Sequence, residues 1–198
     1  MANGINTKVI TGKVRLSYAN IWHPRPDDNG VEWYSTSILV PKDDEETLRK
    51  IKTVIDALKE EAKSKYGGKL PAKFHTPLRD GDEERPDDPA YAGHYFFNAK
   101  SKTKPGIAKP IGRDENGKMR FQEITDPAEV YSGCYVKVSV NFYLFDAKGN
   151  RGIGVGLNNI VKVHDGEPLG GRTRVEDEFA DEEFDEIVDI SEEEDFLN

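Results

Sequence analysis

The sequence predicts a mainly β fold, a small barrel with one helix packed on it. Three features carry this. Residues 134–145 alternate apolar and polar side chains throughout, the period of a half-buried strand. Helical spacing occurs in one place, over residues 43–65. The other patterned runs are short and rich in β-branched or aromatic residues, with turn residues between them and no internal repeat, which suits a barrel better than a parallel α/β sheet.

In order along the chain, residues 8–18 (KVITGKVRLSY) alternate, with Val14, Leu16 and Tyr18 facing one way and Lys13, Arg15 and Ser17 the other. The turn-rich HPRPDDNG at 23–30 leads to VEWYSTSILV at 31–40, the second strand of a hairpin with a long connection. Pro41 ends that strand. Asp43 stands three residues before Glu46, a capping-box spacing, and Leu48, Ile51, Ile55, Leu58 and Ala62 follow on one helical face until Gly67-Gly68. Residues 68–93, with four prolines, read as a long loop of the kind that often carries function. HYFFNAKS at 94–101 reads as a strand, and Asn116-Gly117 as a hairpin turn. In 134–145, Cys134, Val136, Val138, Val140, Phe142 and Leu144 form the apolar face, opposite Tyr135, Lys137, Ser139, Asn141, Tyr143 and Phe145. DAKGN at 146–150 turns the chain into the strand 151–163. Its Gly152, Gly154 and Gly156 bare one face, so that a ligand or another strand can approach the backbone.

Charge divides the 198-residue chain in two. Residues 175–198 carry 13 acidic side chains and no Lys or Arg; removing them from a net charge of -9 leaves residues 1–174 at +4. The expected organisation is one folded domain, 1–174, and an acidic, disordered arm, 175–198. A basic body with an acidic arm suits a body that binds a polyanion and an arm that competes with it or recruits a partner. One cysteine, Cys134, allows no intrachain disulfide and points to the cytosol; it falls on the apolar strand face as a core residue. No run of about 20 apolar residues exists to span a membrane, and the N-terminus has no signal-peptide pattern.

The candidate binding residues follow from aromatic and basic side chains lying together. Tyr135, Lys137 and Tyr143 share the polar face of 134–145, where rings would stack bases and the lysine would answer a phosphate; an ordinary solvent face is the competing reading. Residues 100–120 hold seven basic side chains against two acids. Lys100, Lys102 and Lys104 alternate there, so that on an extended strand they form one row, and Lys109 follows; an edge strand guarded by lysines is the alternative. Trp22 with Arg25, and Lys73 with Phe74, interleave rings and charge more weakly. Tyr95 and Arg151 complete the set.

Other signals are weaker. GRDENGK at 112–118 has the glycine and lysine spacing of a phosphate loop, but Met119 replaces the magnesium-binding hydroxyl and no helix follows, so it reads as a hairpin turn. Asp80, Asp82, Glu83, Glu84, Asp87 and Asp88 cluster in the long loop, as a solvated acidic surface or as the ligands of a metal-dependent nuclease or resolvase. The four histidines are too far apart for an H-x-x-x-H metal pair, and no nucleophile motif occurs. No cofactor, metal site or catalytic residue is expected. In the arm, Phe179, Phe184, Phe196 and Leu197 exceed what a solvating tail needs and suit a partner-binding peptide. A DNA-mimicking interaction protein without a nucleic-acid site is the third class left open.

Four segments carry a family resemblance: HTPLRDGDEE (75–84), GHYFFNAKS (93–101), YSGCYVKVSVNFY (131–143) and GVGLNNIVKVHDGEPLGG (154–171). With these the chain resembles a family of bacteriophage single-stranded DNA-binding proteins. The resemblance implies an OB-like five-stranded Greek-key barrel that binds single strands with little sequence preference, in replication or recombination. It also implies an acidic C-terminal arm that contacts replication or recombination proteins. Such a protein is not an enzyme, acts in the host cytoplasm without a membrane, and is compatible with a homodimer. Two departures stand out. The helix follows the second strand instead of lying between the third and fourth, and Phe196 is third from the end where such arms end on an aromatic.

Overall fold

A computed structural model describes residues 4–170. Its elements are β1 (Lys8–Ile10), β2 (Val14–Pro26), β3 (Glu32–Pro41), α1 (Glu45–Lys65), β4 (Phe74–His75), β5 (Arg79–Asp80), the one-turn helix α2 (Gly81–Glu84), β6 (His94–Ser101), β7 (Gly106–Arg113), β8 (Met119–Glu123), β9 (Tyr135–Ala147) and β10 (Asn150–His164). The predicted arm 175–198, with Phe179, Phe184, Phe196 and Leu197, lies outside the described residues.

Five strands pair in a ring. β2 is antiparallel to β3 and β3 to β6; β6 runs parallel to β10; β10 is antiparallel to β9, which returns to β2. This is the five-strand order of an OB fold. The parallel seam is a single residue pair, Gly156 with Lys100, so the sheet is not a fully closed barrel. α1 falls between the second and third ring strands, as the order of sequence patterns implied. The interval between the third and fourth, where the usual OB helix lies, holds the β7–β8 hairpin, and β7 continues beside β10.

The alternation in the sequence is the core seen edge on. Val136, Val138, Val140 and Phe142 of β9 are buried against Ile153, Val155, Leu157 and Ile160 of β10, and Cys134 joins them. α1 closes on this core with Leu48, Ile51, Val54, Ile55 and Leu58. Its N-cap is Asp44, one residue later than the capping-box spacing suggested: the Asp44 carboxylate accepts the Thr47 amide at 3.1 Å, worth about 1 kcal/mol.

Two sequence expectations needed correction here. The predicted strand 8–18 is interrupted at Gly12, where a Cβ would stand 2.5 Å from the Asp44 carboxylate, so β1 and β2 lie end to end along one edge of β9. Residues 68–93 are not a featureless loop: β4 pairs with β10 and β5 with β6.

Candidate nucleic-acid interface

A cleft of ≈ 910 Å³ crosses the outer face of β3 and β6. Its floor includes Trp33, Ser35, Asn98 and Lys100. The β2–β3 connection contributes Asn29 at one side, and the β9–β10 hairpin contributes Tyr143, Phe145 and Ala147 at the other. In OB folds this face, between these two loops, is where oligonucleotides and oligosaccharides lie.

Trp33 is held in place from below. Its Nε1–H donates to Asp27 Oδ2 at 3.0 Å, while Asp27 Oδ1 accepts the amides of Asn29 and Val31 at 2.9 Å each. The Val31 amide, then the Trp33 indole, hold the Asp27 carboxyl below its ordinary range, so it remains an anionic anchor. Lys100 Nζ stands 4.2 Å and Lys102 Nζ 5.3 Å from the indole centroid. Cations so close to a π-face are attracted to it and are already poised beside any base that would stack there.

Tyr143 owes its position to a glycine. A Cβ at Gly154 would stand 2.6 Å from Tyr143 Cζ, so only a bare backbone admits the ring. Tyr143 remains 40% exposed.

Tyr18 enters through a defect in the ladder. The β2–β3 register shifts between Ser17 and Asn20, and Tyr18 sits there at φ 48°. Such a bulge re-aims the side chain. The expected inward face of Val14, Leu16 and Tyr18 therefore breaks: Val14 and Leu16 are buried, but Tyr18 is 57% exposed on the cleft rim. The Arg85 guanidinium lies 5.9 Å from its ring.

Ion pairing separates the cations. Lys109 is tied to Glu129 and Arg151 to Asp146, each at 2.8 Å, and the Arg151 guanidinium also covers Tyr66. Arg25, Arg85, Lys100, Lys102 and Lys104 enter no ion pair among the described residues. Of the sequence-predicted residues, Lys100 and Tyr143 line the cleft and Lys102 flanks it through Trp33. The expected single row of lysines does not form, because β6 ends at Ser101; Lys104 instead reaches Trp22, 5.0 Å from its centroid. Trp22 is half-buried, its Nε1–H donating to the Val130 carbonyl at 2.8 Å. Arg25 is exposed on an adjoining groove.

The remaining predicted residues are not brought together with these. Tyr95 faces α1, its ring under Lys42 and Lys52. Phe74 packs against the core beside exposed Lys73. Tyr135 lies eight residues from Tyr143 along β9, roughly 27 Å, its ring tilted against His164 with centroids 4.5 Å apart. Lys137 is exposed on that same outer face.

Trp33, Tyr18, Asn98, Phe145 and Arg85 are cleft residues that sequence reasoning did not single out. Trp33 had a signal, since Trp33, Ser35 and Ser37 recur at period 2 and put an indole on a polar strand face. Tyr18 had none, because nothing local announces the bulge.

The acidic loop is occupied by cations. Lys42 Nζ bridges Asp80 at 2.8 Å and Asp82 at 2.7 Å, and Arg79 donates to Glu84 at 2.6 Å. The Lys42 hydrogen bonds hold both aspartates below their ordinary range. Among the described residues no group of three His, Cys, Asp or Glu is placed to hold a metal.

Fold and cleft together define an OB-type binding module with an aromatic, cationic groove across its second and third ring strands. The family model described as "Enterobacter phage Enc34, ssDNA-binding protein" matches residues 7–193, and the chain belongs to that family. Among curated relatives, "Putative protein p50" of Acyrthosiphon pisum secondary endosymbiont phage 1 is 29% identical over 94% of this chain and 97% of its own. Among solved structures, the single-stranded DNA-binding protein from bacteriophage Enc34 in complex with ssDNA superposes with TM-score 0.64. It is 27% identical, over 83% of this chain and 90% of that one. The bacteriophage T7 single-stranded DNA binding protein gp2.5 shares the fold at TM-score 0.55 and 17% identity, over 90% of this chain and 95% of its own.

Proposed function

We propose that this chain binds single-stranded DNA in the β3–β6 cleft, with little sequence preference and without catalysis, during phage replication or recombination in the host cytoplasm. Bases stack on Trp33 and Tyr143, and the rim cations that enter no ion pair among the described residues take the phosphates. The observation that carries the reading is this pairing of accessible rings with cations that enter no ion pair among the described residues. Rings accept any base, so discrimination among sequences is weak. Lys42 and Arg79 hold the loop carboxylates that a nuclease would need free. The 13 acids of 175–198 compete with DNA for the cations, and the apolar residues among them suit a replication or recombination partner.

Fluorescence titration of a labelled oligonucleotide tests the reading, with the full chain and with residues 1–174, at about 50 and 200 mM salt. Four phosphate contacts, by Arg85, Lys100, Lys102 and Lys104, give a slope of about -2.8 in log K against log salt, roughly a fiftyfold loss over that range. Truncation should tighten binding. Absence of binding by either form at low salt would sink the proposal. So would cleavage of the oligonucleotide in Mg²⁺ that Asp82→Ala abolishes.

A further inference from the structure

The cleft does not end at Tyr18. A second groove of ≈ 760 Å³ adjoins it and shares Tyr18 and Asn20 as its threshold. It runs between the β2 bulge, the 128–132 segment and residues 168–170. Its walls are pinned by bonds remote in sequence: the Ala19 amide donates to Ser132 Oγ at 2.9 Å, and Tyr131 Oη–H donates to the Gly166 carbonyl at 2.8 Å. Arg25, exposed and unpaired among the described residues, lines it. Asp88 is the one carboxylate on its lining among the described residues.

We infer that the single strand runs on past Tyr18 into this groove, so that the binding track is longer than the cleft and extends toward Arg25. The inference rests on the single-strand reading of the cleft. Two independent features support the direction. Tyr18 holds a left-handed backbone conformation that costs about 1–3 kcal/mol in a non-glycine residue, and the result is an exposed ring at the junction of the two grooves. At the other end of the cleft a third groove, near His75, also adjoins it through Asn98 and Gly154, but its arginine, Arg79, is held by Glu84. Among the described residues of these two grooves, positive charge outside an ion pair therefore continues the track on the Tyr18 side. A strand there passes Tyr18, places a phosphate at Arg25 and meets Asp88 as a point of repulsion.

Oligothymidylates of about four and about sixteen nucleotides, the span of OB site sizes, separate the cleft from the track. For the full-length protein, Arg25→Ala should weaken the longer oligonucleotide about three- to tenfold and lower its salt slope by about 0.7, leaving the shorter unchanged. Arg25→Lys should restore most of the loss. Asp88→Asn should tighten the longer oligonucleotide about twofold or more, a gain that misfolding cannot produce. Equal effects on both lengths, or none on either, would confine the strand to the cleft and overturn the track. Failure of the unaltered protein to bind either length would refute the cleft reading itself.

Discussion

Gly154→Ala isolates the seat of Tyr143. The added methyl would stand 2.6 Å from Tyr143 Cζ and 2.7 Å from Cε2 and Oη. Ordinary carbon contacts are ~3.5–4.0 Å, so the ring must withdraw by about 1 Å or swing into solvent. Because Tyr143 is 40% exposed, it can move without disturbing the core, and the cost to stability should stay near 1 kcal/mol, about 2–4 °C in Tm. The cost to binding is larger. A stacked base is worth about 1–3 kcal/mol, or roughly five- to 150-fold in Kd, and a displaced platform should forfeit at least the lower part of that range. Tyr143→Ala should forfeit the whole of it. Gly156→Ala is the control two residues along the same strand, where the nearest atoms are Asn141 O at 3.6 Å and Tyr143 Cε1 at 3.9 Å, ordinary contacts. Fluorescence anisotropy with one labelled oligonucleotide, alongside thermal melts, reads both effects. Equal affinities for Gly154→Ala and Gly156→Ala, with matching melts, would refute the idea that glycine seats the ring.

Replacing Lys100, Lys102 and Lys104 together by Ala should flatten the salt slope by about 2 and weaken binding most at low salt; an unchanged slope would remove these lysines from the interface. Tyr18→Gly should raise stability by about 1 kcal/mol, since glycine adopts φ 48° without strain, while lowering DNA affinity, and urea melts with parallel titrations check the opposite signs. Lys42→Met should blunt acid sensitivity. Asp80 and Asp82 are held below their unfolded range by Lys42, so their contribution is present above about pH 4 and lost as pH falls through their lower folded values. Urea midpoints for the unaltered protein should therefore drop more steeply below about pH 4 than those of the variant.

Much of the fold was legible along the chain because it is written in local periods. The 3.6-residue spacing from Leu48 to Ala62 became α1, and the alternation from Cys134 to Phe142 became the central strand of the core. The candidate site was legible in part. Lys100 and Tyr143 stood out as a lysine and a ring on strand faces, and both line the cleft. Tyr95 and Tyr135 carried the same local signature, yet one lies under the helix and the other at the far end of β9. A ring on a strand reports its face but not which neighbours cross it.

The sequence by itself determined the long strands from 31–40, 94–101, 134–145 and 151–163, the main helix, their order and the division of charge between residues 1–174 and 175–198, since each depends on residues close along the chain. Only the tertiary structure decided which rings share a cleft and which cations are drawn into ion pairs. Trp33 meets Lys100 across the β3–β6 ladder, Tyr143 rests on Gly154 across the β9–β10 ladder, and Glu129 and Asp146 withdraw Lys109 and Arg151 from service. Register and salt-bridge partners are set by packing between segments distant in sequence, and no local pattern records them.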